Sequence, residues 1–269
     1  ASIAQLESTL KVILGNAGER ATFLHEVTAW AGLPLLAETM RRIGLEKPAQ
    51  ALAIRERARG FSELEMLIAH TLLVSSGGEC LDDLEHLRHD KALTKLLGHG
   101  LPSPDAMRRF LEAFHDESVL VGRPAAEAHC AHIPPESAAL ARLGDLLTFL
   151  VGVVANNELE PITRATIDHD ATVIEAHKKD ARPHYKGGRG YQPAIAVWAE
   201  LMLVVADEFR DGNVSAAMAN LPLIERAFAA LPETVVERYF RADSACYEEM
   251  VMKWLVAHGI GFAISADMS

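Results

Sequence analysis

Ala165-Thr-Ile-Asp-His-Asp-Ala-Thr-Val-Ile174 is the stretch on which the reading of this chain turns. Ile167, Ala171, Val173 and Ile174 suit an interior strand, yet the run carries two acids, Asp168 and Asp170. Side chains alternate along a strand, so both acids fall on one face, roughly 7 Å apart. A second run has the same form. In Val235-Val-Glu-Arg-Tyr-Phe-Arg-Ala-Asp-Ser244, the apolar Val235, Val236, Tyr239 and Phe240 lead to Asp243 at the strand's end. A carboxylate ending an apolar strand is costly to desolvate unless something compensates it, and a bound Mg²⁺ is the usual compensation. Two such ends brought together in one sheet form the core of a two-metal site for phosphoryl transfer. Each acid also has a plainer reading. Asp168 and Asp170 suit a solvated edge strand, and Asp243, just before Ser244-Ala-Cys-Tyr, suits a helix cap.

The 269 residues are enough for two domains, and an apolar fraction of 49% supports substantial cores. Only 6% of residues are aromatic, so those cores are mostly Leu, Ala, Val and Ile. The cysteines, Cys80, Cys130 and Cys246, are odd in number and lack CxxC spacing, which favours a reducing compartment over a disulfide framework. No signal-peptide pattern is present, and the most apolar stretch, Leu143 to Ala155, is short for a bilayer and contains Asp145. The expectation is a soluble cytoplasmic protein with no membrane partner. A formal charge of −11 counts against generic nucleic-acid binding, because phosphate affinity comes from local Lys and Arg. One segment runs the other way. His177 to Arg189 carries Lys178, Lys179, Arg182, Lys186 and Arg189 against a single acid, Asp180. It reads either as a polyanion site or as a solvated basic loop.

Residues 1 to about 158 read as helices separated by Gly and Pro. The clearest start is Phe61-Ser-Glu-Leu-Glu-Met66, where Ser62 and Glu65 make a capping box and Phe61 with Met66 a hydrophobic staple. That helix is expected to run to Gly77-Gly78 with Leu64, Leu67, Ile68, Thr71 and Leu72 on its buried face. Ser103-Pro-Asp-Ala opens another, with Met107, Phe110, Leu111 and Phe114 as its stripe. Leu81 to Leu87, Lys91 to Leu97 capped by Asp90, and a long apolar helix from about Glu136 to Ala155 complete this half. The pattern changes at Asn156-Asn-Glu-Leu-Glu-Pro161. Beyond it, strands are expected at 163–174, 192–198 and 201–209, a helix at 215–231, a strand at 235–242, a helix at 246–258 and a strand at 261–266. The chain is thus of the α+β class, an all-helical domain over 1–158 followed by a mixed sheet with helices over 159–269.

Other motifs are weaker. His86 with His89, and His129-Cys-Ala-His132, resemble metal spacings without the partners that zinc requires. Gly187-Gly-Arg-Gly190 lacks the Gly-Lys-Ser/Thr ending of a phosphate loop. Helices 90–97 and 104–115, joined by Gly98-His-Gly-Leu-Pro102, suggest either ordinary helical packing or a helix-turn-helix presenting Arg108 and Arg109 to DNA.

Taken in order, Thr166-Ile-Asp-His-Asp-Ala-Thr-Val-Ile-Glu175, His184-Tyr-Lys-Gly187, Gly190-Tyr-Gln-Pro193, Glu208-Phe-Arg-Asp-Gly-Asn213 and Phe240-Arg-Ala-Asp-Ser244 resemble the DDE transposases of bacterial insertion sequences. The helical half resembles them too, through Arg59-Gly-Phe-Ser62, Gly77-Gly-Glu-Cys-Leu-Asp-Asp-Leu84, Leu87-Arg-His-Asp90 and Met107-Arg-Arg-Phe-Leu111. The resemblance implies an RNase H-like catalytic domain behind a helical DNA-binding domain. It also implies Mg²⁺, replaceable by Mn²⁺, as cofactor, with element ends and target DNA as partners, and it allows a homo-oligomer. Asp170 matches the family's first acid and Asp243 its second, with Asp168 as second choice for the first role.

The family's third acid is a Glu on a helix after the last core strand, and no residue here carries over to it. Glu248 and Glu249 lie too early, and the sequence stops at Ile264-Ser-Ala-Asp-Met-Ser269. The expectation is therefore a C-terminally incomplete catalytic domain that binds DNA without cutting it by itself. Two further readings stay open, a catalytically inactive DNA- or partner-binding remnant of a decayed transposase, and an RNase H-like nuclease without strand transfer.

Overall fold

The computed structural model describes residues 28–54, 59–125, 128–158 and 160–266. It divides into two compact units, one ending at His115 and the other starting at Asp116.

The first unit is helical: α1 (Leu33–Arg42), α2 (Glu46–Ala51), α3 (Glu63–Ser75), α4 (Leu84–His89), α5 (Lys91–Leu97) and α6 (Pro104–Glu112). Three of these starts are fixed by side-chain caps. Glu65 N donates to Ser62 Oγ at 3.2 Å and Ser62 N donates to Glu65 Oε2 at 2.6 Å, the expected reciprocal box. Asp90 Oδ1 caps α5 through Leu93 N at 2.8 Å, and Ser103 caps α6 through Ala106 N at 3.2 Å. The buried face of α3 differs from the expected one: Met66, Ile68, Ala69, Leu72 and Leu73 are covered, while Leu64, Leu67 and Thr71 are only partly so. This helix is apolar almost all round, so its own pattern does not select a face. Met107 and Phe110 of α6 are buried together with Phe114 just beyond its end, the two rings edge to face at 5.4 Å, but Leu111 is exposed.

The second unit opens with α7 (Ala138–Asn157), capped by Ser137, and continues with β1 (Arg164–Ala171), β2 (Ile174–Glu175), β3 (Arg182–Pro183), β4 (Arg189–Tyr191), β5 (Ala194–Trp198) and β6 (Leu203–Glu208). Then come α8 (Asn220–Ala229), β7 (Glu237–Ala242), α9 (Glu249–Ala257) and β8 (Gly261–Ile264). The main sheet has the order β6-β5-β1-β7-β8. Antiparallel pairing joins β6, β5 and β1, whereas β1, β7 and β8 run parallel through the α8 and α9 crossovers. That is the RNase H-like arrangement. Ile167, Trp198, Leu223, Ile224, Phe228, Phe240, Val251 and Leu255 form its core.

Val151 and Ala155 of α7 belong to the same core, so the compact units divide before this helix rather than at 158. The change at 156–161 marks where helix gives way to strand. At 20 residues α7 is longer than its most apolar stretch suggested, and among the described residues it is the one helix long and apolar enough to cross a membrane.

A second sheet, β2-β4-β3, was not expected. Gly190 and Gly212 are required beside it: a Cβ on Gly190 would collide with the Ile174 carbonyl, and one on Gly212 would sit 2.6 Å from the Arg182 carbonyl.

Candidate metal centre and nucleic-acid interface

Parallel pairing of β1 and β7 puts Ile167 beside Phe240 and His169 beside Ala242. Asp170 is the next residue on β1 and Asp243 the first residue after β7, strands that lie about 4.8 Å apart in the hydrogen-bonding direction. Both acids are exposed, and both line one cavity of about 280 Å³. His169, Thr172, Tyr185, Lys186, Gln192, Ala216 and Ala245 also border it. Asp170 Oδ1 accepts from Ala171 N at 2.8 Å and Asp243 Oδ1 accepts from Ala245 N at 2.9 Å. Asp243 is thus the cap of a 3-10 turn, Ser244–Cys246, and a cavity residue at once. A cap needs one carboxylate oxygen, which leaves the second oxygen available to a ligand.

Asp168 has a different environment. Arg241, its cross-strand neighbour, grips it bidentately, with Nε–Oδ1 and Nη2–Oδ2 both 2.6 Å. It does not border the cavity.

Beneath the acids, on the buried face of β1, His169 Nδ1 lies 3.4 Å from Cys246 Sγ. Burial, then the nearby positive charge of Arg210, lowers the His169 pKa to about 4. Burial, then the negative charge of Asp243, pushes the Cys246 thiol up to about 12. At neutral pH both are uncharged, as a buried pair must be.

The donor chemistry fits a hard cation. Mg²⁺ keeps several waters and is commonly held by one or two carboxylates together with substrate phosphates. Among the described residues no three His, Cys, Asp or Glu side chains gather as a metal site.

The basic segment divides into structural and exposed members. Arg182 donates to the Pro124 carbonyl at 2.6 Å, and Arg189 to the carbonyls of Ala181 and Lys179, each at 2.8 Å. These two guanidiniums fold the loop. Lys178, Lys179 and Lys186 are exposed, and Lys186 also borders the aspartate cavity. In the helical unit Arg108 and Arg109 are exposed on α6, Arg108 paired with Asp105 at 2.7 Å.

Sequence reasoning missed the buried polar residues around Glu208-Phe-Arg-Asp-Gly-Asn213. Arg210 is wholly buried, its Nε 2.6 Å from Glu208 Oε1. Asp211 is equally buried and receives Arg123 bidentately at 2.9 and 2.6 Å, while Arg123 also donates to the Asp180 carbonyl at 2.8 Å. The alternating charges of the motif were the available signal. Their partner Arg123, far away in sequence, was not readable.

The model of the transposase DDE domain, group 1, matches residues 21–267, and the chain belongs to that family. Among solved structures, the piggyBac transposase synaptic complex with hairpin DNA is similar at 12% identity and TM-score 0.35, over 86% of this chain and 50% of that one. The Mos1 strand transfer complex is similar at 15% identity and TM-score 0.29, over 80% of this chain and 62% of that one. The chain therefore spans between half and two thirds of those proteins, and at these scores the likeness adds nothing to what the strand order itself shows. No curated protein matches the sequence.

Proposed function

We propose that this chain carries the first two acids of a metal-dependent transposase centre, Asp170 and Asp243, and binds DNA across them. The observation that carries the reading is their arrival at adjacent ends of β1 and β7, lining one cavity. Bound Mg²⁺ or Mn²⁺ would supply Lewis-acid activation of a water or 3′ hydroxyl and stabilise the leaving oxygen during phosphodiester cleavage and strand transfer. The protein's own part is to hold two carboxylates in register, each with one oxygen fixed by a backbone N–H. Lys186 at the cavity and Lys178 and Lys179 on the adjoining loop would neutralise DNA phosphates next to the acids. Arg108 and Arg109 would add backbone contacts from the helical unit. DNA ends and target are the partners of this reading. Surface thiols at Cys80 and Cys130 support a reducing, cytoplasmic setting.

The test is binding of a labelled duplex by fluorescence anisotropy, with Mn²⁺ and with EDTA. Mn²⁺ is expected to tighten binding by the natural chain, and to give no gain with Asp170→Ala or Asp243→Ala. Equal affinity of the natural chain in Mn²⁺ and EDTA would contradict the reading.

A further inference from the structure

Behind Asp243 lies a buried polar chain that runs from the 208–213 motif to Asn220. Arg210 and Asn220 are both fully buried. Arg210 Nη1 donates to Asn220 Oδ1 at 3.2 Å, with its charge balanced by Glu208. Asn220 Nδ2 donates to the Ala245 carbonyl at 3.2 Å and the Ala216 carbonyl at 2.9 Å. Ala245 N in turn donates to Asp243 Oδ1. Ala216 and Ala245 both border the cavity that holds the two aspartates. One amide therefore ties two walls of the site together from below.

The chemistry fixes which way that amide points. A guanidinium has donors only, so Arg210 compels Oδ1 toward itself and leaves both N–H groups for the two carbonyls. With the Arg removed, a buried Asn can flip and present an oxygen to Ala245, which has nothing to donate to it there. Asn220 also begins α8 directly after Ala219, whose φ of +54° is unusual for a residue with a Cβ. A backbone held in that region persists where its surroundings over-determine it, and the Asn220 bonds are such a surrounding.

We propose that Asn220, oriented by Arg210, is a positioning residue that sets Asp243 for metal binding. This rests on the reading of Asp170 and Asp243 as the metal-holding pair. It deepens that reading by naming what holds the second acid in place; groups that hydrogen-bond a metal ligand directly govern about 10- to 100-fold in affinity, and Asn220 acts one bond further out, through Ala245.

The experiment is Mn²⁺ titration of the full chain followed by electron paramagnetic resonance, with thermal unfolding of every variant. Asn220→Ala is expected to weaken Mn²⁺ binding by about five- to tenfold, at or below the lower end of what direct partners of a metal ligand govern. Ile224→Ala, in the core on the same helix, serves as the destabilised control and should stay within about twofold of the natural chain, since Ile224 does not border the aspartate cavity. Arg210→Lys, which keeps the charge and a donor, should fall between them. Should Asn220→Ala fail to fold, Asn220→Ser keeps one donor and gives the same comparison. Natural-chain affinity in a folded Asn220 variant, with Asp243→Ala still losing it, would overturn the clamp alone. Unchanged affinity in Asp170→Ala and Asp243→Ala would remove the metal pair and the clamp with it.

Discussion

Asp168 and Asp170 stand two positions apart on one strand face, and their partners separate them. The pairing of Asp168 with Arg241 is an exposed cross-strand bridge, which water and salt screen until it contributes little. Asp168→Ala should therefore leave the midpoint of urea unfolding nearly unchanged, and Mn²⁺ affinity near that of the natural chain. A loss of affinity as large as that of Asp170→Ala would return Asp168 to the site. The cysteines offer a second check. Cys246, buried and with its thiol pushed up to about 12, should not react with a thiol reagent at pH 8 in the folded protein, whereas exposed Cys80 and Cys130 should. Three thiols reacting at one rate would mean that the 3-10 turn beside Asp243 opens readily. At this scale the approach of Asp170 and Asp243 at neighbouring strand ends was legible because each closes an apolar run. The burial of Arg210 and Asn220 was not, because a polar side chain gives no sign in the sequence that it is covered.

Among elements, the basic segment shows how charge and fold divide the work. Lys178→Glu, Lys179→Glu and Lys186→Glu together should weaken DNA binding and flatten the slope of log affinity against log salt, by about 0.9 for each phosphate no longer neutralised. Arg182→Ala and Arg189→Ala should instead act through the loop they hold, lowering its protection from proteolysis. An unchanged salt slope in the triple variant would make the segment an ordinary solvated loop. In the helical unit, Ser62→Ala removes one half of the capping box and should cost about 1 kcal/mol in thermal or urea unfolding. The strands of the main sheet were readable because β1 and β5 alternate buried with half-buried residues, the period of a pleated strand. The small sheet was not, because strands of two or three residues carry no period. Nor was the late start of α8, where a left-handed Ala219 interrupts a pattern that reads as helical from 215.

For the whole molecule, the two-carboxylate set among the described residues predicts a division between binding and chemistry. Residues 1–269 should bind duplex DNA in Mn²⁺ yet give negligible cleavage or strand transfer on gels, because two aspartates without a third donor hold the cation weakly in the absence of substrate phosphates. Robust Mn²⁺-dependent cutting abolished by Asp243→Ala would mean that another acid of these residues completes the centre. The order of main-sheet strands and helices was legible in the second half, whereas the compact-unit boundary was not, since α7 reads like its helical predecessors and only its packing assigns it to the sheet. The central claim, that Asp170 and Asp243 together hold a divalent cation, is tested most directly by replacing that cation with Fe²⁺ and generating hydroxyl radicals with ascorbate and peroxide. Radicals cut the polypeptide beside bound iron. The account predicts two cuts, near residues 170 and 243, both lost on adding excess Mg²⁺ and in Asp170→Ala. Cutting elsewhere, or cuts at these positions that survive Asp170→Ala, would contradict it.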